Sequence, residues 1–196
     1  RLRCRYCHNP DTWELCGKGT LESPEETVNR LMRFKPYYGT DGGVTFSGGE
    51  PLLQKEFLTE VLALCKSRGI HTCLDTAGVG CGGYGEILKN TDLVLLDVKH
   101  YTPEGYQAVT SRSMDAYEEF LDAVQSMEVP LWLRHVVVPG LTDGEDHLAG
   151  LAEYVKGIRN VKRVELLPYH VLGVPKYRAM GIPYPLEGVP PMESGA

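Results

Sequence analysis

The sequence predicts an α/β fold: a parallel sheet curled into a partial or open barrel. Short β-branched or apolar runs alternate with stretches of helical period in the order βαβαβαβαβ. Each strand-to-strand interval holds a helix, which describes right-handed crossovers between parallel strands. Five such strands are too few to close an eight-stranded barrel.

Taken in order, Ser23-Pro24-Glu25-Glu26 reads as a helix start, with Ser23 as N-cap, Pro24 in the first turn and Glu26 as the reciprocal capping acid. Val28, Leu31 and Met32 continue the helical spacing, and Pro36 is expected to end it. Gly43 to Ser47 reads as a strand that stops at Gly48-Gly49-Glu50. From Leu53 to Ser67 the residues Phe57, Leu58, Val61, Leu62 and Cys65 recur at helical period, and Gly69 closes the element. Ile70 to Leu74 is a strand ending at Asp75-Thr76, and Tyr84 to Lys89 is a short helix. Asp92 to Val98 is a continuous apolar strand, expected to be buried on both faces, with Asp97 and Lys99 near its end.

Asp115 to Met127 is helical with Phe120, Leu121 and Val124 inward, and Leu131 to Val138 is a strand. Glu145 to Val155 is a helix with Leu148, Leu151 and Ala152 on one stripe, and Val164 to Leu167 is the last strand. From Tyr169 onward Pro and Gly are frequent and no helix is predicted, so 171–196 reads as a loop-rich segment of one domain spanning 1–196.

At 196 residues and 42% hydrophobic content the chain can bury a sizeable core. No run approaches a membrane span and no leader is visible, which makes the cytoplasm the expected compartment. The formal charge of −6 disfavours nucleic acid as a partner, because phosphate binding requires a basic face. Six cysteines, all in the first half of a chain too large to need covalent staples, suggest reduced thiols and a metal.

The chemistry concentrates at two places. Cys4 and Cys7, three positions apart beside Tyr6 and His8, can chelate a metal centre, although this spacing alone also serves zinc knuckles and redox pairs. The strand ends carry Gly48-Gly49-Glu50, then Asp75, then Asp97 with Lys99, then Arg134-His135 within the fourth strand, then His170. Ligands of parallel α/β folds meet the carboxyl ends of strands, and these residues suit a zwitterionic nucleoside. The glycines admit close backbone approach, Lys99 and Arg134 pair with a carboxylate, and Asp75 and Asp97 hold a cationic group. His170 stacks on or hydrogen-bonds to a base or ribose. Two competing readings are a structural zinc held by Cys4, Cys7 and His8, and a dinucleotide loop at Gly78 to Gly83.

The stretches Cys4 to Trp13, Phe46 to Glu50, Gly69 to Thr76, Asp92 to Lys99, Val136 to Gly140 and Glu165 to His170 closely resemble the radical S-adenosylmethionine (SAM) activases of glycyl-radical enzymes, of the type that serves pyruvate formate-lyase. The resemblance implies a partial (β/α)6 TIM-like barrel lacking its first strand and last helix. It also implies a [4Fe–4S] cluster on three thiols, of which Cys4 and Cys7 are present and the third is expected one position ahead of Arg1. SAM would lie among Tyr6, Cys7, His8, Gly48, Gly49, Asp75, Asp97, Val98, Lys99, Arg134 and His170, with a monovalent cation near Asp75 and Asp97. The implied reaction abstracts a hydrogen from a glycine in a loop of pyruvate formate-lyase through a 5′-deoxyadenosyl radical, with flavodoxin or ferredoxin as electron donor. A second-cluster insert of clustered cysteines, found in related activases, has no counterpart between Cys7 and Gly48, where Cys16 is the one thiol. Without the first cysteine, residues 1–196 alone are expected to be inactive.

Overall fold

The computed structural model describes residues 2–13 and 19–192. Helix α1 (Pro24–Met32) is followed by a short α2 (Lys35–Tyr38). Strand β1 (Gly43–Phe46) leads to α3 (Lys55–Ser67), β2 (His71–Thr76), α4 (Gly85–Leu88) and β3 (Leu93–Asp97). Then come α5 (Pro103–Thr110), α6 (Asp115–Ser126), β4 (Leu131–Val137), α7 (Glu145–Lys156), β5 (Val161–Pro168) and α8 (Val174–Met180). All strand pairs are parallel and run in the order β1-β2-β3-β4-β5, the open part of a TIM-like barrel.

The predicted cap of α1 forms in full. Glu26 N–H donates to Ser23 Oγ at 3.2 Å, and the Glu26 carboxylate accepts from Ser23 N–H at 2.8 Å. Pro36 does not terminate that helix. The helix ends at Met32, and Pro36 sits in the first turn of α2, where its missing N–H leaves no bond unmade. Besides α2, two further helices, α5 and α8, are not among those that the sequence predicts. Thr102 caps α5 by accepting from Gly105 N–H at 3.1 Å, with Pro103 in the first turn. Helix α8 lies within the segment read as loop, again with a proline in its first turn, and closes at Gly181 in the left-handed region.

Burial alternates along β3 and β4. Val94, Leu96, Leu131 and Leu133 are buried in one core with Val61 and Leu62 of α3 and Phe120 and Val124 of α6. Leu93, Leu95, Asp97, Trp132 and Arg134 point the other way and are only half-buried. The Asp92 to Val98 stretch is therefore buried on one face rather than two, because helices wall only the outer side and the inner side faces a cavity. On α7, Leu151 is buried but Ala152 is exposed, and Tyr154 and Val155 pack on the core in its place. Strand β5 starts at Val161, earlier than expected, and forms one edge of the sheet with Val164 and Leu166 exposed at 44% and 51%.

Candidate functional site

Parallel register brings the strand ends together. Asp97 pairs with Arg134 across β3 and β4, and Asp75 lies two positions back on β2, level with Leu95. Period-two alternation then turns all three side chains to the same face. Arg134 bridges both acids: Nε donates to Asp97 Oδ1 at 3.0 Å, Nη1 reaches Asp75 Oδ2 at 3.3 Å, and Nη2 also bonds Asp75. Lys99 Nζ completes the chain with a 2.8 Å bond to Asp97 Oδ2. Burial pushes the Asp97 carboxyl up, but Lys99 and Arg134 outweigh it and hold the group below the usual carboxylate range. For Asp75 burial wins over the guanidinium and its pKa is raised, so Asp97 is the more firmly ionised of the two.

At the end of β1 the chain turns through Gly48 and Gly49, with φ of 95° and 60°, a left-handed path that side chains other than glycine rarely follow. A Cβ on Gly48 would meet no atom within 4 Å. Glu50, 5% exposed, pins this turn to the end of β2: its carboxylate accepts from Thr76 Oγ1 at 2.5 Å, Ala77 N–H at 3.0 Å and Leu52 N–H at 3.2 Å.

The cysteine loop closes the cavity from the other side. Cys7 N–H bonds back to Cys4 O at 3.0 Å, a turn that places both thiols at one cavity. Arg3 and Arg5 N–H donate to Thr110 O and Val109 O at 3.0 Å each, stitching the loop to the end of α5. Burial pushes the Cys4 thiol up, while the Lys99 ammonium draws it down. That ammonium also lies 5.7 Å from the Tyr6 ring centroid, whose buried hydroxyl has no partner, and the His8 and His170 rings meet edge to face at 4.7 Å.

Together these elements enclose a cavity of about 640 Å³, within the range of small-molecule sites. Cys4, Tyr6, Cys7, His8, Gly48, Gly49, Asp75, Asp97, Lys99, Arg134 and His170 all line it. Val98 does not. One position after Asp97, it turns to the opposite face, is 1% exposed, and offers its carbonyl to His135 Nδ1 at 2.7 Å. Val136, two positions after Arg134 and so on the same face, lines the cavity instead. Glu50, from the first of the strand ends, lines it too, and so do Thr76 and Trp13, which the sequence does not single out. The two acids expected to share a monovalent cation here share the Arg134 guanidinium.

The remaining cysteines stand apart. Cys65 and Cys73 are buried outside the cavity wall, Cys81 is exposed, and Cys16 lies outside the described residues. Among the described residues no group of three or more His, Cys, Asp or Glu stands close enough to hold a metal ion by itself. The Gly78 to Gly83 loop leads into the four-residue α4, too short for the phosphate-binding helix of a dinucleotide fold. Nor do the described residues include a helix long and apolar enough to cross a membrane.

A radical SAM superfamily model matches residues 1–152. The pyruvate formate-lyase-activating enzyme of Clostridium pasteurianum is 53% identical over 193 residues, covering 98% of this chain and 81% of that protein. The chain belongs to this family of radical SAM enzymes. The Staphylococcus epidermidis relative of the same name is 42% identical over all of this chain and 81% of its own length. A crystal structure of a domain of the pyruvate-formate lyase-activating enzyme from Bacteroides vulgatus superposes with a TM-score of 0.59 at 30% identity, covering 65% of this chain and 81% of that one. Membership implies a [4Fe–4S] cluster and SAM. The donors present suit both: soft thiolates for iron, with a lysine beside them, and a mixed-charge pocket with an open glycine turn for a zwitterion.

Directly behind the site, His135 is 2% exposed and its ring Nε2 lies 3.2 Å from His147 Nε2. Because a carbonyl can only accept, Nδ1 of His135 carries the proton toward Val98, and His147 donates to His135 Nε2. Burial lowers the His135 pKa to about 4, with His147, His100 and Lys99 adding to the effect. A depressed histidine contributes stability that is whole above its unfolded value near 6.5 and is lost as pH falls toward 4. Urea unfolding between pH 7.5 and 4.5 should show His135→Gln with a shallower decline than the wild type, the difference reaching on the order of 3 kcal/mol at the acid end.

Proposed function

We propose that this chain activates pyruvate formate-lyase by generating a radical on a glycine of that enzyme. What carries this reading is the convergence of Cys4, Cys7, Gly49, Asp97 and Lys99 on one cavity, in a chain 53% identical to a protein of that name. Cys4 and Cys7 are the cluster ligands present, and the motif places a third thiolate one position ahead of Arg1. When bound, the cluster supplies one electron to SAM, whose cleavage provides the hydrogen-abstracting group.

The chain's own residues bind, orient and enclose. The Gly48-Gly49 turn offers backbone amides to the amino-acid end of SAM, and Lys99 and Arg134 set the charge around its carboxylate. Tyr6, Val136 and His170 provide flat or apolar surface for the nucleoside, and the closed cysteine loop keeps water from the reacting carbon. The partner's glycine loop enters at the open mouth of the barrel. A flavodoxin or ferredoxin serves as electron donor in the cytoplasm, and 1–196 acts as one domain.

The assay incubates the protein, carrying a cysteine ahead of Arg1, with SAM and reductant under anaerobic conditions and counts glycyl radicals by spin resonance. Pyruvate formate-lyase should acquire them. Radicals on a glycyl-radical dehydratase in preference to pyruvate formate-lyase would move the assignment to another activase of the same class.

A further inference from the structure

Helix α8 touches the cysteine loop at three separate points. Gly173, just ahead of the helix, lies so close that a Cβ there would stand 3.0 Å from Cys7 O, 3.0 Å from His8 Cα and 3.1 Å from His8 O. Lys176 Nζ bonds Asn9 Oδ1 at 2.6 Å and Asp11 Oδ1 at 3.1 Å. The ring of Tyr177, fully buried, meets Trp13 edge to face at 5.6 Å and is held from behind by Tyr184 at 4.9 Å.

These contacts span Cys7 to Trp13, the part of the loop that α5 does not hold. The stitches to α5 fall at Arg3 and Arg5, before Cys7. A short loop carrying two metal ligands needs restraint on both sides if its thiols are to stay in register, since ligand geometry is set by the groups behind it. Within this stretch Pro10 is buried and Arg3 stacks over Trp13 at 4.4 Å, but His8, Asn9 and Asp11 are exposed.

We propose that α8 is the clasp that sets the position of the cysteine loop, with Gly173 and Lys176 as positioning residues for the iron–sulfur cluster. The inference rests on the reading that Cys4 and Cys7 hold that cluster.

Gly173 is a clean probe because its own backbone, at φ −78° and ψ −23°, suits alanine. The added methyl therefore acts on the loop and not on the helix. Hydrogen exchange of the cluster-free protein should show residues 7–13 opening about tenfold more often in Gly173→Ala and in Lys176→Met, with α3 and α6 unchanged. Lys176→Arg should recover part of the protection. After anaerobic reconstitution of the protein with a cysteine ahead of Arg1, both variants should release iron to a chelator several-fold faster than the parent, at an unchanged melting temperature.

Exchange unchanged over 7–13, or raised equally in α3, would overturn the clasp. A loosened loop with unaltered iron release would overturn its role toward the cluster. If the parent itself takes up no iron while the variants still loosen the loop, the clasp stands and the cluster reading falls.

Discussion

Arg134→Met should cost the fold about 2 to 3 kcal/mol, because it strips the shared cation from two carboxylates that are roughly three-quarters buried. The figure sits below that for a fully buried pair because Asp75 and Asp97 keep 27% and 22% of their side-chain surface in contact with solvent. Lys99 still neutralises Asp97, so the penalty falls mainly on Asp75, whose pKa already runs high. Relative to the wild type, which itself declines through His135, the variant should therefore recover stability as pH falls and Asp75 takes up a proton. The double variant Arg134→Met, Asp75→Asn should recover it at neutral pH. Urea unfolding at pH 7.5 and 5.5 checks both. A loss under about 0.5 kcal/mol with no pH dependence would show that the bridge does not hold the strand ends together.

Glu50→Ala is the second large effect, on the order of 3 kcal/mol. The carboxylate satisfies Thr76 Oγ1 and two backbone N–H groups in a nearly dry site, and alanine would orphan all three and leave a cavity. Glu50→Gln keeps the volume but turns one acceptor into a donor facing N–H or O–H, so it should cost about 1 to 2 kcal/mol. Since Glu50 ties the Gly48-Gly49 turn to β2, both variants should also weaken SAM binding to the reconstituted protein, read by titration calorimetry. Unfolding midpoints within experimental error of the wild type would contradict this account of the turn.

Much of this was legible in the sequence, and the reasons are local. Ser23 and Glu26 announce the start of α1, and the helical stripe from Phe57 to Cys65 announces α3, because caps and periodicity act over a few residues. The polar stops at strand ends marked the cavity, since parallel register carries them to one rim. Parity could have shown more. Val98 follows Asp97 and so faces away, whereas Val136 shares the face of Arg134. The Thr102-Pro103 start of α5 is a cap of the same local kind as that of α1. Helix α8 is masked by Pro175 and by the glycines at its two ends, and its grip on the cysteine loop joins Asn9 to Lys176 across most of the chain. No short-range pattern encodes a contact of that span.

Spin resonance of the anaerobically reconstituted, reduced protein with and without SAM decides whether Cys4 and Cys7 hold a cluster that faces a SAM-binding cavity. Residues 1–196 would be compared with the same chain carrying a cysteine ahead of Arg1, and with Cys4→Ser and Cys7→Ser in that background. The extended chain should give a reduced-cluster signal that changes shape when SAM is added, and either serine variant should lose it. A signal that persists in Cys7→Ser, or a colourless protein holding one tight zinc, would contradict the cluster reading.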